Sequence, residues 1–175
     1  MANKNIPRGF ELVWPKDAFC LDYLVADSAV LKAGDTVYMD SSGYASHTAT
    51  NQTLGVAQDD MRIGTGSSAK KVTALGEADT YDYISVCIDI NAIYKAQIST
   101  GALTSPYTTR SSAAAYDEAG DAGVQYIDAA ASTNDTWRIV RWAAEYGDGS
   151  QSANSTYQKV FCKLNPAEAI FGTIA

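Results

Sequence analysis

What most constrains this chain is a succession of short runs rich in β-branched and aromatic residues, each closed by turn formers. TVYMD and YASHT flank Ser41, Ser42 and Gly43 and read as a β-hairpin. LGVAQ follows after a polar loop, and Gly55 within it marks a bulge or a close backbone approach. KVTAL, YISVCIDI, IYKAQI, VQYIDA, WRIVRW and YQKVFCKL continue the series. In the last of these, placing Val160, Cys162 and Leu164 inward exposes Lys159 and Lys163, the alternation of a half-solvated strand. Helix signals are few. Asn165 as N-cap with Pro166 at the first helical position, closed by Gly172, predicts one or two turns. The run Ala113–Ala115 could open another short helix, stopped early by Gly120 and Gly123. The expectation is an all-β fold, a small β-barrel or sandwich with an extended N-terminal arm and little helix.

The arm is residues 1–20; the β-rich domain is 21–175. Lys4, Arg8 and Lys16 outweigh Glu11 and Asp17, so residues 1–20 carry +1 while the remainder carries −8. Pro7, Gly9 and Pro15 interrupt regular structure there. Yet Ile6, Phe10, Leu12, Val13, Trp14 and Phe19 are too apolar to be left in water. Such a segment must pack on its own fold or lie on another subunit. Deletion of residues 1–14 is expected to leave a folded domain.

A chain of 175 residues buries about 70% of its unfolded surface, so it needs neither disulfide nor metal for a core. Its charged fraction, 19%, is below the roughly 25% of an average soluble protein, which argues against long exposed helices and coiled coils. The net charge of −7 repels phosphate backbones, so no nucleic-acid partner is expected. The apolar runs fall short of the ~20 residues that span a bilayer, and no membrane partner is expected. The opening MANKNIPRGFELVWPKDAF lacks the apolar core of a secretory signal peptide. Cys20, Cys87 and Cys162 are odd in number and far apart, fitting neither a disulfide framework nor a CxxC metal site; they read as small buried hydrophobes in a reducing compartment.

Catalytic patterns are absent. His47, the one histidine, stands in YASHTA without a nucleophile motif, and an exposed strand position is its expected place. IGTGSSAKK lacks the glycine that a phosphate loop requires before its lysine, since Ala69 stands there, and no helix pattern follows. Asp59–Asp60, Asp79 with Asp82, and Asp117, Glu118 and Asp121 lack calcium-loop spacing and read as solvated loops. The sequons at Asn51, Asn134 and Asn154 indicate surface loops. The expectation is a protein with no catalytic residues, no metal and no cofactor.

LKAGDTVYMDSSGYASHTATNQTLGVAQDD carries an apolar-x-x-Gly-Asp-x-Val opening, a Gly-containing turn, a polar tract and Leu-Gly-Val-Ala. It resembles the corresponding segment of the decoration (cement, head-stabilising) proteins of tailed-bacteriophage capsids. The opening MANKNIPRGF, the strand NAIYKAQISTG, and the closing TWRIVRW and GDGSQSANSTYQKVFCKLN follow that family's order across most of the chain. The segment from Pro106 to Gly123 has no counterpart in it, and FELVWPKD replaces the usual residues after the first glycine.

The resemblance implies a virion structural protein on the capsid exterior, assembled in the host cytoplasm, often trimeric and without catalysis. Its partners would be the major capsid protein and other copies of this chain. Each lattice junction needs only a standard interface of roughly 1,600 Å², repeated many times. An aromatic-rich arm supplies such contacts, and Ile6, Pro7, Phe10, Leu12 and Trp14 are the expected contact residues. The alternative is a carbohydrate- or receptor-binding module displayed on the virion surface, since eleven tyrosines and three tryptophans offer stacking faces.

Overall fold

The computed structural model describes residues 9–26, 29, 31–47, 52–60, 62–63, 70–71, 82–98, 115–121, 124–128, 136–143 and 158–173. In chain order the strands are β1 (Glu11–Trp14), β2 (Cys20–Leu24), β3 (Thr36–Met39), β4 (Ala45–Ser46), β5 (Gln52–Ala57), β6 (Arg62–Ile63) and β7 (Lys70–Lys71). They continue with β8 (Asp82–Cys87), β9 (Ile93–Gln97), β10 (Ala115–Asp121), β11 (Val124–Asp128), β12 (Trp137–Trp142) and β13 (Lys159–Leu164). The fold is mainly β, as the strand-rich sequence predicts.

Two antiparallel sheets form. The first runs β1-β9-β13-β12-β10-β11; the second runs β4-β3-β5-β8-β6-β7, with β2 on the other edge of β8. Both sheets curl. A single bridge from Ile98, just after β9, to Ile127 on β11 draws the ends of the first together. In the second, a single bridge from Val25 to Ala45 brings the end of β2 back to β4. One bridge is not a strand pairing, so neither sheet is a closed barrel.

The core divides accordingly. One cluster lies between the sheets: Tyr94, Trp137, Ile139, Val160, Cys162 and Leu164 from the first meet Val56 and Cys87 from the second. The other lies inside the curl of the second sheet, where Val37, Leu54, Ile84 and Val86 meet Val25 and Leu31. Strand β8 serves both, with Cys87 toward the first cluster and Ile84 and Val86 toward the second. Burial on both faces is confined to the end of the strand, where Val86, Cys87 and Ile88 are consecutive apolar residues; earlier in β8, Tyr83 and Ser85 on the other face are only partly buried.

Local sequence explains much of this. The β3–β4 hairpin forms as predicted, its turn held by Asp40, whose Oδ1 accepts from the N–H groups of Ser42 and Tyr44 at 2.8 Å each. Gly55 is both a bulge neighbour and a close approach. The β3–β5 register slips between Val37 and Tyr38, and a Cβ on Gly55 would lie 2.0 Å from the Cys87 carbonyl oxygen. In β13, Val160, Cys162 and Leu164 are buried while Lys159 and Lys163 are partly exposed, matching the predicted alternation. The Asn165 side chain accepts from Ala167 N–H at 3.3 Å as expected of a cap, but Pro166–Glu168 form a turn and the helix, a 3₁₀ turn, is displaced to Ile170–Thr173, with Gly172 inside it and not closing it.

Two further expectations are corrected. Ala115 begins strand β10 and not a helix, because residues 115–121 pair with β11 over five positions and with β12 at Ala115 and Tyr116. Residues 113–114 lie outside the described set, as does KVTAL beyond Lys71. The second correction concerns the amino-terminal segment. Over residues 9–20 it does not stand off as an arm. β1 pairs with β9, β2 starts at Cys20 against Cys87, and Phe10 is 1% exposed within the inter-sheet core. Its N–H donates to Gly34 O at 2.8 Å, where Gly9 passes so close that a Cβ would sit 2.7 Å from the same oxygen. Deleting residues 1–14 therefore removes a core ring and a strand, contrary to the expectation of an intact domain.

Candidate interaction surface

Among the described residues, four of the six exposed large apolar side chains fall within residues 13–21, on β1, on β2 and on the turn that joins them. Trp14 is 59% exposed and Phe19 61%, flanked by Val13 and Leu21. β1 is the edge of the first sheet and β2 an edge of the second, so this short stretch of chain borders both. Unpaired edges with apolar side chains are surfaces that proteins normally cover or charge.

A bulge produces the exposure. Phe10 and Leu12 face inward by alternation, and Glu11 lies opposite Lys95. The register then slips between Leu12 and Trp14, so that Trp14 pairs with Ile93 and Val13 is the extra residue. A bulge turns two successive side chains out of the pleat, which here presents both Val13 and Trp14 to solvent. The chain then turns through the cis Trp14–Pro15 peptide and reaches β2, where Leu21 and Asp22 are exposed.

Of the expected contact residues that are described, Trp14 is the one that is mostly exposed. Leu12 is half-buried against the inter-sheet core. Phe10 is withdrawn as a contact residue: its ring is stacked on Trp137 and has no surface to offer. Ile6 and Pro7 lie outside the described residues. Val13, Phe19 and Leu21 are exposed members outside the expected contact set, although Val13 and Phe19 belong to the apolar group read from residues 1–20. The apolar residues at 13 and 14, adjacent where alternation demands opposite faces, were the available signal.

The other features singled out in the sequence are scattered. His47 is exposed just after β4. The GTGSSA stretch, residues 64–69, lies outside the described residues; the strands that flank it, β6 and β7, pair antiparallel with Lys70 opposite Ile63. Asp82 begins β8, whereas Asp117, Glu118 and Asp121 are on β10; Asp79 and the three sequon asparagines lie outside the described residues. Asp60 Oδ1 accepts from Ala33 N–H at 3.2 Å near Asp35, which is almost fully buried. Burial, and to a smaller degree the Asp60 charge, push Asp35 up to about 6, against the lowering effect of the Lys32 N–H and ammonium. Among the described residues, no group of three or more His, Cys, Asp or Glu could hold a metal ion, and no helix is long and apolar enough to cross a membrane.

No protein-family model matches the chain, and no curated protein matches it by sequence.

Proposed function

We propose that this chain is a virion structural protein that binds the outside of an assembled phage capsid and stabilises it by bridging neighbouring subunits. The observation that carries the reading is the exposed group Val13, Trp14, Phe19 and Leu21, set on the edges of two different sheets. Aromatic anchors on a rigid β framework suit a static interface: little side-chain entropy is lost when Trp and Phe are covered. Among the described residues no strand pairs with the outer side of β1, and the outer side of β2 meets β4 only at the Val25–Ala45 bridge, which is the basis for favouring a homo-oligomer, a trimer in the family it resembles. Extra contacts at each junction must break before a capsid subunit lifts, so bound copies raise the shell's resistance to heat and internal pressure.

Co-sedimentation with assembled phage heads tests this. The full chain should pellet with heads and not with unassembled capsid protein, and heads carrying it should release DNA at a higher temperature. Binding by the free protein to a glycan array, with no association to heads, would instead favour the carbohydrate- or receptor-binding reading.

A further inference from the structure

The sequence spacing of the cysteines hides a juxtaposition. Cys20 on β2 and Cys87 on β8 are direct register partners, and neither is in a disulfide. Their position in the ladder follows from the neighbouring hydrogen bonds. Ile88 N–H donates to Phe19 O at 3.0 Å, which makes Phe19 and Ile88 the hydrogen-bonded pair and Cys20 and Cys87 the non-hydrogen-bonded pair beside it. The other edge of β8 agrees. Gln58 N–H donates to Ser85 O at 2.9 Å, so two residues along the ladder Cys87 turns its own N–H and C=O toward Val56 on β5 and away from β2.

Non-hydrogen-bonded partners sit about 4.5 Å apart at Cα with their side chains close together on one face. A disulfide requires roughly 4.4–6.8 Å between Cα atoms, which this arrangement meets. Both side chains face the inter-sheet core: Cys87 lies fully within it and Cys20 packs against its border, partly exposed. The Cys20 thiol donates to Ala18 O at 3.3 Å, and it is pushed up to about 11 by burial first and by the adjacent Cys87 thiol second. Cys162 is apart from the pair, on β13 in the first sheet, with its thiol donating to Tyr94 O at 3.7 Å.

We propose that Cys20 and Cys87 are a thiol pair that a low-molecular-weight disulfide, such as oxidised glutathione, converts into a cross-strand disulfide joining β2 to β8. Cys20 is the point of attack because it is the partly exposed member. Its thiolate displaces one glutathione thiolate and leaves a mixed disulfide at Cys20. The Cys87 thiolate then attacks the Cys20 sulfur and expels the second glutathione. The two thiol protons end on the two glutathione molecules, and the two electrons lost by the pair reduce the reagent's S–S bond. The raised thiol keeps the reaction slow at neutral pH and speeds it as pH rises. The bond would tether the edge strand that carries Leu21 and follows Phe19 to β8, the strand that contributes to both core clusters, and it does not depend on the capsid reading.

The full chain should be incubated with oxidised glutathione at about pH 9 and its free thiols counted in denaturant. Titration should fall to a single thiol, Cys162, with peptide mapping joining Cys20 to Cys87 within one chain. Tm should rise by about 5–10 °C and return on adding dithiothreitol. Cys20→Ser, checked for folding by circular dichroism, should keep both remaining thiols under the same treatment. Persistence of all three thiols overturns the proposal. So does glutathione left on Cys20 with Cys87 free, a cross-link between two chains, or a cross-linked protein that melts no higher than the reduced one.

Discussion

Phe10 lies flat on Trp137, with ring centroids 4.0 Å apart and planes 7° from parallel. Tyr94 meets the same indole edge-on at 5.5 Å and 80°. The three rings come from the segment before β1, from β12 and from β9, so they tie the amino terminus to the centre of the first sheet. Aromatic pairs of this kind add about 0.5–1.5 kcal/mol to the area they bury.

Phe10→Ala should therefore cost about 3–5 kcal/mol, the range for emptying an aromatic site in a core. Chemical denaturation would read it as a lower midpoint with an unchanged slope. A loss below about 1 kcal/mol would mean that the ring is not part of the core. Deleting residues 1–14 should be at least as harmful, since it also strips β1 from β9.

Gly55→Ala should be among the most damaging single substitutions. The added methyl would fall 2.0 Å from the Cys87 carbonyl oxygen and 2.9 Å from its carbon, both backbone atoms in the neighbouring strand. Relief requires β5 and β8 to part, and a loss of at least about 3 kcal/mol is expected. Thermal melts of the variant beside the wild type check it.

Asp35 predicts a pH dependence with a definite sign. Its folded value of about 6 stands above the ordinary 3.8, so between those limits the folded chain holds a proton that the unfolded chain has released. Its contribution to stability is then complete below about pH 4 and falls as pH climbs toward about 6, after which it is flat. Asp35→Asn should remove this slope while keeping an acceptor for the Lys32 N–H, which donates to Asp35 Oδ2 at 2.8 Å. Denaturation midpoints of both proteins across that interval make the comparison, and parallel curves would refute the assignment.

Trp14→Ser combined with Phe19→Ser should leave stability within about 0.5 kcal/mol, because both side chains are more exposed than covered. Association with phage heads should drop at least tenfold, about 1.4 kcal/mol. Val140→Ser is the control: this valine is also exposed at a bulge, but on β12, three strands from β1. Equal losses from both variants would detach the binding from this surface.

What could be read from the chain itself was whatever short-range chemistry decides. The alternation of Val160, Cys162 and Leu164, the Ser-Ser-Gly turn between β3 and β4, the Gly55 approach and the Asn165 cap each depend on residues within a few positions, and each is found where expected. The strand at 115–121 escaped notice because its two alanines, three acidic residues and one glycine have little strand preference of their own; pairing with β11 and β12 decides its state. The same holds for Phe10, whose apolarity suited a partner surface and a core equally well until Trp137 was known to lie beneath it. Cys20 and Cys87 are far apart along the chain and adjacent only through the β2–β8 register. The sequence by itself thus determined an all-β chain and the faces of its clearest strands. Which apolar groups stay exposed was decided only by tertiary pairing, because burial depends on what stands opposite, and only the folded sheets bring the opposing residues together.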